Sequence, residues 1–206
     1  VTIRPTSLEK RRAVLAAAEE EFLSGGYDTV SMDRIAARSG VAKQTLYAHF
    51  GSKEGLFLQL VTAMTEETGD RVHADPLAVT SAGDLPDALH RLLSRQLDLV
   101  LTPRLMQLRR LVIGELGRFP DLARTLAERG PHRAIDILAD VLADLDARGL
   151  LAVPHPGQAA SQLNWLVMGQ PVNDAMLLGD ASIPSAAERD SHVRAAVRTF
   201  LAAYGT

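Results

Sequence analysis

Between Thr29 and Phe57 the chain reads TVSMDRIAARSGVAKQTLYAHFGSKEGLF, and no other stretch restricts the fold as tightly. Ser31 suits the N-cap of a helix, and Asp33 in its first turn complements the positive end of the helix dipole. Met32, Ile35 and Ala36 form the inward face of that helix. Gly40 stands where the chain must turn sharply, because glycine alone takes the left-handed conformation without steric cost. Val41, Leu46 and Phe50 then give the next helix a buried side. Ser52 caps a further helix, with Leu56, Phe57, Leu60 and Met64 along one face. Two short helices, a tight glycine turn and another helix at once are the layout of a helix-turn-helix. In that arrangement the second helix enters the DNA major groove.

A recognition helix needs one face held by its partner helix and an outer face that reaches bases and phosphates. Ala42, Lys43, Gln44, Thr45 and Tyr47 supply the outer face here. Gln can bond adenine at two points, Lys can donate to guanine, and Thr offers both a hydroxyl and a methyl group. Tyr47, Thr29 and Ser31 suit phosphates, as does Lys53 beside a helix N-terminus whose free amides attract anions. His49 is expected to pack or to meet the DNA backbone. Taken alone, Lys43, Gln44 and Thr45 are equally consistent with a solvated helix surface.

The remainder reads as helix throughout, with no alternating strand pattern and no internal repeat. Thr6-Ser7-Leu8-Glu9 has capping-box spacing, Pro5 blocks helix upstream, and Gly25-Gly26 is expected to end the first helix. Glu19, Glu20 and Glu21 are expected on its outer end. The loop-like HADPLAVTSAGDLP follows Arg71. Beyond it, helices are expected over about Leu85–Leu101 and from Thr102-Pro103 to Phe119-Pro120, with a break at Gly130-Pro131. Ile135, Leu138, Leu142 and Leu145 form a 3.6-residue stripe closed by Gly149. Two last helices span about 158–178 and 186–204. The fold class is all-α, with nine or ten helices: a three-helix head over residues 1–53 and a larger bundle over residues 54–206.

Composition agrees with a globular chain, at 47% hydrophobic and 23% charged residues. The absence of cysteine excludes disulfides, thiolate nucleophiles and cysteine-ligated zinc, and is compatible with a reducing cytoplasm. The N-terminus carries no apolar segment of the signal-peptide kind. Gly149–Asn173 lacks Asp, Glu, Lys and Arg, yet its three prolines, His155 and several amides would be costly in lipid, so no membrane span is expected. Net charge is −3, whereas residues 1–55 hold eight Lys/Arg against seven Asp/Glu. Non-specific DNA affinity should therefore be modest, since it scales with the phosphates neutralised.

Ala36-Ala37, Gly40-Val41, Leu46-Tyr47, His49-Phe50 and Ser52-Lys53-Glu54 with Leu56 fill every fixed position of one bacterial pattern. The segment resembles the head of the TetR-type transcriptional regulators. ELGRFPDLARTL at 115–126, RGP at 129–131 and ARGLL at 147–151 resemble the ligand-binding body of one branch of that family. The resemblance implies a cytoplasmic homodimer joined mainly through the last two helices, a double-stranded DNA operator, and release when a small molecule occupies the body. Val172, Met176, Val193, Val197, Phe200 and Leu201 are the expected interface residues, since these helices carry more apolar positions than one internal face requires. Arg109, Glu115, Asn164, Trp165, Met168 and Asn173 are the candidate ligand contacts, being polar or large groups in otherwise apolar helices. For each of these the structural role is the stronger reading: Arg109 exposed or paired, Trp165 in core or interface, Glu115 tying helix ends, Asn173 capping a kink near Pro171.

The six histidines show no mutual i, i+3 or i+4 spacing, and no standard catalytic motif is present. No metal, cofactor or catalytic activity is expected. The rival reading is a helical ligand-binding or protein-interaction module whose helix-turn-helix does not read DNA.

Overall fold

The computed structural model describes residues 6–72, 74 and 77–206. The expectations placed on Pro5 and on the loop at His73, Asp75 and Pro76 lie outside them. Among the described residues the chain forms ten α-helices and no strand, with one isolated antiparallel bridge between Leu151 and Gly205. In chain order they are α1 (Ser7–Thr29), α2 (Met32–Ser39), α3 (Lys43–Phe50), α4 (Lys53–Val72) and α5 (Leu85–Val100). There follow α6 (Pro103–Gly114), α7 (Pro120–Ala127), α8 (Arg133–Ala147), α9 (Pro156–Leu178) and α10 (Ala186–Tyr204). No helix of the described residues is long and apolar enough to cross a membrane.

Local chemistry explains most of the boundaries. Thr6 and Glu9 form the reciprocal cap of α1: the Glu9 amide donates to Thr6 Oγ1 at 3.2 Å, and the Thr6 amide donates to the Glu9 carboxylate at 2.6 Å. Ser185 and Glu188 repeat the device at α10. Gly26, at φ 78°, interrupts α1, but one further helical turn carries it on to Thr29. α6 ends at Gly114, five residues before the expected stop at Phe119, and residues 115–118 form turns. The expected break at Gly130-Pro131 is absent. A π-helical turn over Glu128–His132 joins α7 to α8 instead. Pro131 has no amide hydrogen, and a local widening of the helix accommodates the missing donor.

Packing divides the chain into two compact units, one of Val1–Thr65 with Gln107–Leu126 and one of Glu66–Met106 with Ala127–Thr206. The unit that contains the head is thus larger than residues 1–53, and the unit boundaries fall within α4, α6 and α7. The core of the first unit is an aromatic cluster. The ring centroids of Phe22 and Phe57 lie 4.9 Å apart, those of Tyr27 and Phe57 5.3 Å, and those of Tyr27 and Phe119 4.8 Å. The second unit is a bundle in which α8 packs on α9 and α10 packs on α5 and α9. Leu89, Leu93, Leu97, Leu138, Leu142, Leu163 and Phe200 are buried there. Each such side chain contributes about 1.5–3 kcal/mol of burial.

Candidate nucleic-acid interface

α3 is held by a buried face and leaves the opposite one in solvent. Leu46 and Phe50 are buried, and Ile35 of α2 beside them is fully enclosed. Ala42, Lys43, Gln44, Tyr47 and His49 are exposed, and Thr45 is half-buried. The turn before α3 depends on Gly40, which caps α2 at φ 66°. The turn after it depends on Gly55, where an added Cβ would lie 2.3 Å from the Phe50 carbonyl oxygen. α3 and α4 therefore meet too closely for any side chain at that position. Five of the nine expected DNA-facing residues thus stand together on one short exposed helix surface, with Thr45 at its edge.

Several of these residues already have partners. Lys43 lies 2.6 Å from Asp33 of α2, and that hydrogen bond holds its ammonium above the usual lysine range. The Ser31 hydroxyl accepts from the Arg34 amide at 3.2 Å as the N-cap of α2, which leaves its own hydrogen free to donate. The Thr29 hydroxyl donates to the Gly25 carbonyl at 2.6 Å. Lys53 is half-buried and donates to the carbonyls of Tyr27 and Val30, at 2.9 and 3.0 Å. Its ammonium also sits 4.2 Å from the centre of the Tyr27 ring. Lys53 thereby ties the start of α4 to the end of α1.

Motif reading missed the groups that brace this surface. Glu21 is only 4% exposed, which corrects its expected place on the outer end of α1. Its carboxylate meets Arg34 at 2.6 Å and Arg38 at 2.7 Å, and this contact raises the Arg38 pKa. Arg34 and Arg38 are four apart on α2, and that spacing was the available signal. The second missed group is Arg118. It pairs with Asp28 at 2.6 Å and lies over the rings of Tyr27 and Phe119, anchoring the segment after α6 to the end of α1.

Two family models match the chain. A model of the bacterial regulatory proteins of the tetR family matches residues 14–60, and one of the AefR-like transcriptional repressor C-terminal domain matches residues 87–206. The chain belongs to the TetR family. A TetR-family regulator from Mesorhizobium loti is similar over 98% of this chain and 100% of its own, at 34% identity and TM-score 0.89. The Flavonoid-responsive Regulator FrrA is similar over 97% of this chain and 98% of its own, at 33% identity and TM-score 0.78. The HTH-type transcriptional activator FasR of Mycolicibacterium smegmatis is 47% identical over 53 residues, 26% of this chain and 24% of that protein.

In this TetR-family chain the expected body residues separate into distinct environments. Asn164 and Met168 are buried on α9. Trp165 is 56% exposed, and Asn173 is exposed on a helix that runs uninterrupted through Pro171, so Asn173 caps no kink. Glu115 is half-buried at the end of α6, where its carbonyl accepts from the amides of Arg118 and Phe119. Arg109 is half-buried, its guanidinium forms no ion pair or hydrogen bond among the described residues, and burial lowers its pKa.

The expected interface set also divides. Val193, Val197 and Phe200 are at most 3% exposed, because α10 turns them toward α5 and α9, so they belong to the protomer core. Val172, Met176 and Leu201 are half-buried. On these two helices the large apolar groups left in solvent are instead Trp165, Leu166, Leu177 and Leu178 of α9, the last two above 70% exposed. Helical spacing places Leu166 and Leu177 on one line and Trp165, Val172 and Met176 on a second, roughly 100° around the helix.

Proposed function

We propose that this protein is a ligand-responsive repressor that binds a pseudo-palindromic DNA operator as a homodimer. The exposed polar face of α3, held by a braced and tightly turned head, is the observation that carries this reading. Gln44 and Lys43 read base edges, Thr45 adds a methyl contact, and Ser31, Thr29, Tyr47 and His49 approach phosphates. Lys43 must exchange Asp33 for the DNA as it binds. Lys53 acts chiefly by positioning, since its ammonium is already engaged.

The exposed apolar line on α9 supports the dimer, since large solvent-facing apolar patches mark partner surfaces. A two-fold dimer would present its recognition helices to successive major-groove faces, about 34 Å apart. An effector in the body that prefers a different head separation drains the DNA-competent state, by no more than its differential affinity. α4 and α6, each continuous across a unit boundary, are the levers, and Arg118 is the grip of α6 and its following turn on α1. The family description names a repressor, and the similarity to a flavonoid-responsive protein supports a flat, hydroxylated aromatic effector.

The test is operator binding by Gln44→Ala and Lys43→Ala. Each is expected to lose ~1–3 kcal/mol of specific affinity with folding intact. Unchanged operator affinity in both variants overturns the assignment of α3. Absence of any specific DNA binding, with effector binding retained, would favour a module that does not read DNA.

A further inference from the structure

Gln96 of α5 and Asn164 of α9 form a buried amide pair, 6% and 2% exposed, within a single packing unit. Gln96 Nε2 donates to Asn164 Oδ1 at 3.1 Å. A primary amide offers an acceptor oxygen and two donor hydrogens, so this one bond leaves most of the pair's capacity unused. Gln96 Oε1, the second Gln96 N–H and both Asn164 N–H groups have no other partner among the described residues. Gln96 Oε1 and Asn164 Nδ2 can therefore each bond one further group. Leu92, Leu93 and Leu97 of α5 and Leu163, Val167 and Met168 of α9 are the buried apolar groups along the same two helices. An apolar wall with a few aimed polar groups is how helical bodies hold small ligands.

We infer that the Gln96–Asn164 pair is the hydrogen-bonding anchor for a neutral hydroxyl group on an otherwise apolar effector. This rests on the effector-binding reading above. A hydroxyl can donate to Gln96 Oε1 and accept from Asn164 Nδ2 at once, matching the two unused functions of the pair. A carboxylate only accepts and an ammonium only donates, and either would enter as an unpaired charge against this neutral pair. The anchor therefore selects for an alcohol or phenol and against the same skeleton without it. A site that hydrogen-bonds a ligand hydroxyl discriminates strongly, because its polar groups are left unpaired when the hydroxyl is missing.

The experiment is calorimetric titration of the full-length protein with 7-hydroxyflavone and with flavone, a pair that differs by one hydroxyl. The native protein is expected to bind the hydroxylated probe about tenfold or more tightly than the parent. Gln96→Met and Asn164→Leu should each bring that ratio close to one while leaving flavone affinity in place. Gln96→Met is the milder change and serves if Asn164→Leu does not fold, folding being read from its melting transition. A ratio unchanged in a folded Gln96→Met protein overturns the anchor and leaves the pair to a bound water. Failure of the native protein to bind either probe, with operator DNA still bound, also overturns the anchor while the regulator reading stands. Loss of both probe and operator binding in the native protein sinks the two together.

Discussion

Two helices present exposed faces of opposite chemistry. The outward face of α3 is Lys43, Gln44, Tyr47 and His49, whereas that of α9 is Trp165, Leu166 and Leu177. Both are regular helices with a buried side, so helix formation does not account for the difference. A polar face can remain in water at no cost until a polyanion arrives, and its value lies in where hydrogen-bonding groups are placed. Large apolar groups in water are unfavourable and commonly mark a partner surface. Physics therefore supports the proposed contact surface on α9 without any motif. It leaves α3 ambiguous with an ordinary solvated helix, and there the spacing of residues decides.

This contrast can be broken from the apolar side with the largest effect. Trp165→Asp places a charge in the α9 face and should weaken dimerisation by about 3 kcal/mol or more, while protomer melting changes little. Sedimentation equilibrium measures it, and an unchanged dimer would remove α9 from the interface. On the polar side, Gln44→Ala should leave dimer and melting temperature untouched and lower operator affinity by ~1–3 kcal/mol. A matching loss for unrelated DNA sequences would demote Gln44 from base reading to backbone contact.

Ser31→Ala sharpens the boundary between support and contact. It removes the N-cap of α2 and should cost about 1 kcal/mol of stability, with a further loss of operator affinity from the missing phosphate donor. If only stability falls, Ser31 is a cap and nothing more. The smallest effect belongs to Asp84, which lies on neither face. Hydrogen bonds from Thr80 and Ser81 lower its pKa from 3.8 to about 2. A depressed folded-state pKa adds stability that is present above the unfolded value and is lost as pH falls through the folded one. The stability gap between native protein and Asp84→Asn should be full at neutral pH and close progressively from about pH 4 toward pH 2. A gap that does not vary with pH in acid melts would show that the carboxylate is not linked to folding.

The fold of the head was legible because the residues that shape it are contiguous. Gly40, the apolar spacing of Leu46 and Phe50, and the polar positions between them lie within one short segment, so one local pattern specifies turn, burial and exposure together. Glu21 escaped because a run of three acids reads as solvated, and only the tertiary approach of Arg34 and Arg38 makes a buried carboxylate tolerable. In the body, the stripe on α10 was visible but not its direction. Periodicity shows that Val193, Val197 and Phe200 share a face, and packing against α5 and α9 decides that the face is core. Gln96 carried no signal at all, since its significance arises from Asn164, 68 residues away. The continuity of α7 into α8 was hidden because a Gly-Pro pair normally stops a helix, whereas here a π turn absorbs it.

The most direct test of the central claim is titration of the purified protein against labelled DNA from upstream of its own gene, at about 50 and about 200 mM salt. DNA recovered by random-site selection would serve as the second target. The account predicts competitor-resistant binding with two protomers, or a multiple of two, per site, and an affinity that falls steeply with salt. Absence of specific binding to both DNA sources, by a protein that is folded and dimeric, would contradict it.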